Sequence, residues 1–130
     1  MQLLTPVSPG ELIDKLTILD IKAERIDDAR KLGNVRHERD LLEQVWRDSQ
    51  LETEEIVRLR AQLKAINEQL WEIEDAIRDE ERAGRFGERF IELARAVYVT
   101  NDERAAVKKA INEALGSRIV EEKSYRDYRR

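Results

Sequence analysis

Ile56, Leu59, Leu63, Ile66, Leu70, Ile73 and Ile77 follow one another at steps of three and four residues, three heptads without an interruption. Steps of that size return to one face of an α-helix, whereas a strand repeats every two residues. The run predicts a helix over about Glu52 to Arg82. A second stripe, Phe86, Phe90, Leu93, Val97, Thr100, Arg104, Val107, Ile111 and Ala114, keeps the same alternation and predicts a helix from near Gly87 to Leu115. Thr100-Asn101-Asp102-Glu103 also has the residue types of a helix start, but the unbroken phase across it argues for one helix. Between the two runs, Gly84 and Gly87 bracket Arg85-Phe86, as in a turn. Two rods of about 45 Å joined so briefly fold back on each other as an antiparallel hairpin.

Upstream, Ser8-Pro9-Gly10-Glu11 carries a cap, a proline suited to the first helical position and a glutamate three residues on, the signature of a helix start. Leu12, Leu16, Leu19, Ala23 and Ile26 then line one face, with Ile13, Ile18 and Ile21 on others, as far as about Asp28. A helix apolar on several sides is buried, either among helices of its own chain or at a subunit interface. Its surplus of apolar surface, together with the groove that the long hairpin offers for it, is the reason to expect a homo-oligomer. A connector over Asp27 to Asn34, with Gly33 ending a short turn, leads to a second helix carrying Val35, Leu41, Leu42, Val45 and Trp46. A break is expected between Asp48 and Glu54, with Ser49 and Glu52 as its capping box. Gly116 is the expected stop of the last helix; Ile119 to Tyr125 would dock as an arm, and Arg126 to Arg130 would fray.

Composition agrees. Of 130 residues, 68 are Ala, Glu, Lys, Leu or Arg, while Gly and Pro number 5 and 2, too few turn formers for an all-β fold. The expected architecture is all-α: an antiparallel bundle built on a long helical hairpin, as a single domain over residues 1–130 with 116–130 as its C-terminal arm. A net charge of -4 with interleaved signs gives no basic excess for nucleic acid. No apolar run is long enough to cross a bilayer and the N-terminus lacks the features of a signal peptide, so a cytoplasmic location is expected. The chain has no cysteine and one histidine, His37, which removes thiol chemistry and two-histidine metal sites. Glu52-x-x-Glu55 and Glu72-x-x-Asp75 resemble the acidic pairs of all-α pyrophosphohydrolases, but 20 residues of one helix hold them roughly 30 Å apart, too far for a shared magnesium ion. The run Leu59-Arg60 to Leu70 similarly resembles the first helix of helical chorismate mutases, without the convergent cations such a site requires. No cofactor, metal or catalytic residue is expected.

Polar residues in apolar phase are more informative. Thr100 and Arg104 fall at core positions, and a guanidinium there needs a partner: Asp14 or Asp20 of the first helix, or Glu121 or Glu122 of the arm. Such a contact either fixes helix register or forms part of an anion or ligand site. Trp71 sits at the core edge, beside acidic neighbours, suited to packing on the first helix or the arm.

The segments Ser8 to Leu19, Leu70-Trp71-Glu72-Ile73-Glu74-Asp75, Thr100-Asn101-Asp102 and Val120-Glu121-Glu122-Lys123-Ser124-Tyr125 resemble a family of short bacterial proteins of unknown function, over nearly the whole chain. The resemblance implies a small helical module found alone and beside sugar-transferase domains, a setting of glycan assembly, and brings no catalytic residues. It directs attention to Asp14, Lys15, Trp71, Thr100, Asn101, Arg104, Glu121, Glu122, Lys123 and Tyr125 as a binding region. The leading expectation is a non-enzymatic interaction or assembly module that self-associates or holds a protein partner. The alternative is a small-molecule or anion-binding protein, or a helical enzyme, with its site around Arg104 and Lys123.

Overall fold

Side-chain caps set where the first three helices begin. Ser8 Oγ accepts the N–H of Glu11 at 3.1 Å, Asp28 Oδ1 that of Lys31 at 2.9 Å, and Thr53 Oγ1 that of Ile56 at 3.2 Å, each satisfying a donor that the first helical turn leaves unpaired. The computed structural model describes residues 1–130 as four helices, α1 (Pro9–Arg25), α2 (Ala29–Ser49), α3 (Glu54–Ala83) and α4 (Glu88–Ala114), with 73% of the chain helical and no strand. The all-α expectation holds, the α3–α4 hairpin is present, and α4 runs unbroken through Thr100-Asn101-Asp102. No helix is long and apolar enough to cross a membrane.

Two boundaries differ from the sequence reading. The connector after α1 is three residues, Ile26 to Asp28, and Gly33 lies inside α2. Asp28 caps α2 five residues earlier than Gly33 suggested, and one glycine costs a helix only about 1 kcal/mol, which the packing of Trp46 outweighs. The break before α3 exists, but Thr53 caps it. Ser49 instead donates to the Trp46 carbonyl, while Gln50, with φ 55°, turns the chain in the left-handed region. Gly84 at φ 69° ends α3 by returning its N–H and that of Arg85 to the carbonyls of Glu81 and Glu80, a closure that favours glycine.

α1 is the hub. It packs against α2, α3 and α4, whereas α2 brings its backbone close to α1 alone. Gly10 meets Asn112 and Asp14 meets Arg104, so α1 runs antiparallel to α4; Asn67 meets Asp14 and Glu72 meets Arg25, so it runs along α3. Leu12, Ile13 and Leu16 join Trp46, Ile56, Leu59, Leu63 and Ile111 in one core, each fully buried aliphatic side chain contributing about 1.5–3 kcal/mol. Ile13, Leu16 and Ile21 are at most 1% exposed. The several apolar faces of α1 are thus consumed inside the chain, and the surplus surface from which self-association was expected is not there.

Beyond Gly116 (φ 61°) the chain has no regular structure, yet it is held. Glu121 and Lys123 reach α1 and α4, and Tyr128, in the stretch expected to fray, lies against Tyr98 with ring centroids 5.0 Å apart.

Candidate functional site

Because α1 lies across the α3–α4 hairpin, polar residues on three helices converge beneath it. Asp14 is 1% exposed. Its Oδ1 accepts from Arg104 Nε and from Asn67 Nδ2, both at 2.9 Å, and its Oδ2 accepts from Arg104 Nη2. The paired contact matches the fork of a guanidinium to the two oxygens of a carboxylate. Asn67 also donates to Thr17 Oγ1 at 2.9 Å, and Thr17 donates in turn to the Asp14 carbonyl at 2.8 Å. The hydrogen bonds to Asp14 hold the Arg104 guanidinium above the ordinary arginine pKa, against the opposing cost of burial.

One turn along α4, Lys108 lies between Glu11 at 2.7 Å and Glu121 at 3.2 Å. Burial works against its charge, but the two carboxylates prevail and its pKa is raised. Glu121 also accepts from Ser8 Oγ at 2.6 Å; this bond and then the Lys108 contact hold its carboxyl below the usual range. The arm is therefore tied to the residue that caps α1. Farther along, Lys123 pairs with Asp102. Gly10, one residue into α1, donates its N–H to Asn112 Oδ1 at 2.7 Å, and its missing side chain is what permits the approach: a Cβ there would stand 2.6 Å from the Lys108 carbonyl oxygen. No buried side-chain nitrogen or oxygen lacks a hydrogen-bond partner. The cluster is electrostatically closed, with each cation matched to an acid.

At the other end of the hairpin the surface is open. α1 ends at Arg25, whose guanidinium lies within 3.7 Å of Glu68 and 3.5 Å of Glu72, and 6.0 Å from the Trp71 ring centre. Past that point a groove of about 340 Å³ continues between α3 and α4. Ile73 and Ala76 of α3 and Leu93 and Ala96 of α4 form its floor, with Glu72, Arg89 and Glu92 at its rim. α1 fills the proximal part of the hairpin's face; nothing in the chain fills this part.

Of the residues singled out from sequence, the structure brings together Asp14, Arg104, Glu121 and Lys123 with buried Thr100 and half-buried Asn101 along α1, α4 and the arm. Asp14 is the partner that Arg104 required. Trp71 is half-buried beneath Arg25, on the α1 side. Lys15 points outward, 4.0 Å from Glu38 of α2; Glu122 and Tyr125 are exposed and stand outside the cluster, Tyr125 near Lys123 alone. His37 is exposed. Thr17, Asn67, Lys108, Asn112, Ser8 and Glu11 complete the network and were not anticipated as site residues. For Asn67 a signal existed: it lies one helical turn after Leu63, a second polar intrusion beside the stripe.

The chain belongs to a family described as a family of unknown function (DUF6165), which it matches over residues 3–128. No curated protein and no solved structure matches it.

Proposed function

We propose that this chain, as a member of that family, is a non-enzymatic recognition module, a helical clamp whose open hairpin end receives a helix from a partner. One observation carries the reading: the face that accepts α1 continues past Arg25 as an apolar-floored, charge-rimmed groove with no occupant in the chain. A trough between two helices that already holds a third helix along half its length has the shape and chemistry to hold another. The polar cluster supports a scaffolding role. A matched Asp14–Arg104–Asn67 network fixes the register of α1 on the hairpin, and that register determines where the groove starts. Arg104 and Lys123, on which an anion-binding reading would rest, are both engaged by carboxylates, so an incoming anion would have to displace them.

The test is site-specific photocrosslinking of the full chain in its native cells. A benzophenone side chain at Gln69, exposed on the groove's edge, is compared with one at His37, exposed on α2. Discrete adducts are expected from position 69 and not from position 37. Absence of adducts at 69, or the same pattern at both positions, would overturn the reading.

A further inference from the structure

We infer that the occupant of the open groove is the same groove of a second copy, the two hairpin ends laid antiparallel about a twofold axis across α4; this rests on the recognition reading above. The copy's own segments do not cover it. The C-terminal arm follows a different flank of α4, through Asp102 and Tyr98. Met1 to Val7 starts at the far end of the molecule, where Gly10 meets Asn112. Seven residues span at most about 25 Å, enough when fully extended only for the near edge of the groove at Ala96, whereas α4 alone puts about 35 Å between Asn112 and Arg89.

Orientation follows from what occupies the rest of the face. A second hairpin pointing the same way would drive its α1 into the first copy's α1, since both lie on the contact side. Laid the other way, each hairpin tip abuts the end of the partner's α1 and only the open portions overlap. The rim charges are self-complementary in that arrangement. Arg89 and Glu92 stand one turn apart, each 64% exposed, and only loosely paired within the chain at 3.9 Å. A twofold axis passing between their levels sets Arg89 of each copy opposite Glu92 of the other, twice per dimer, as an isologous contact requires. Ala76 and Ala96 on the floor let the helices approach closely. The open stretch from Glu72 to Ala83 is about 18 Å long, so the overlap covers roughly half the ~800 Å² per partner of a standard interface. The association is accordingly at the weak, transient end of the size range.

Sedimentation equilibrium of the full chain tests this. The weight-average mass is expected to rise from 15.3 kDa towards twice that as concentration passes from micromolar to hundreds of micromolar. Arg89→Glu and Glu92→Arg, both at exposed positions, should each weaken association about tenfold, since each turns two attractive contacts into repulsive ones. An equimolar mixture of the two variants should restore it, because the glutamate introduced in one copy then faces the arginine introduced in the other. Circular dichroism confirms that both remain helical. A monomer at every concentration, or a dimer indifferent to both variants, overturns the twofold contact. In either case, groove-specific crosslinks from position 69 to a different protein would leave the recognition reading standing, and their absence would end both.

Discussion

Asp14 sits in the interior with two N–H donors from Arg104 and one from Asn67, and removing the guanidinium leaves a buried carboxylate with a single amide. Arg104→Met is expected to lower the free energy of unfolding by about 3 kcal/mol, read from urea denaturation. Asp14→Leu combined with Arg104→Met should recover most of that loss, because matched apolar replacements of a buried ion pair cost little or nothing. A neutral Arg104→Met would show the pair to be dispensable. Gly10 carries a different constraint, steric instead of electrostatic. Alanine raises helix propensity by about 1 kcal/mol, yet its Cβ would meet the Lys108 carbonyl oxygen at 2.6 Å and Asn112 Oδ1 at 2.9 Å. Net destabilisation of about 1–3 kcal/mol is expected for Gly10→Ala, with an α1–α4 contact loosened in proportion.

Among the elements, α2 offers the most direct check on a boundary. Gly33 lies inside the helix, its φ is not in the left-handed region, and a Cβ added there meets nothing within 4 Å. Gly33→Ala should therefore raise stability by about 0.5–1 kcal/mol, seen as a higher melting temperature; a loss would restore the turn that the sequence suggested. Thr53→Ala should cost about 1 kcal/mol by uncapping α3. The same geometry explains what the amino-acid pattern could convey. The three-and-four stripes of α3 and α4 record the face each helix turns to the interior, where Ile56, Leu59, Leu63 and Ile111 meet Leu12, Ile13 and Leu16 of α1, and from them the hairpin, its corner and the unbroken α4 were legible. The polar contacts that the hairpin makes with α1 are spelled in Asn67, Arg104, Lys108 and Asn112. Arg104 and Thr100 fell on the apolar stripe and so stood out. Asn67, Lys108 and Asn112 fell beside it and read as ordinary surface. Which acid would meet Arg104 required knowing where α1 crosses, and no local pattern encodes a crossing point.

At the scale of the whole molecule, the arm and the bundle are joined by groups that titrate. The Glu121 carboxyl is held below its ordinary value by Ser8 and Lys108, with Asp14 nearby opposing. A depressed carboxyl stabilises the docked state fully above its ordinary value near 4.5, and that contribution is lost as pH falls through the lower, docked value. Lys108, whose pKa is raised, keeps its contribution up to its ordinary value of 10.5 and loses it only as pH rises beyond. Backbone NMR shifts of Ile119 to Lys123 are thus expected to be constant near neutrality and to move towards coil values only as pH drops below the ordinary carboxyl value of 4.5. Glu121→Gln should abolish that transition, and a transition surviving in the glutamine variant would place the switch elsewhere. The central position of α1 has one more consequence, for how the protein is made. α1 leaves the ribosome before the other three helices, but Arg104 and Asn112, its counterparts, follow 90 and 102 residues later. At roughly 5–20 residues per second, the greasiest helix of the chain waits on the order of 5–20 s for the last surface that will cover it, sheltered meanwhile by α2 and then by α3. Nascent chains stalled before α4 should be the species that ribosome-associated holdases grip most tightly.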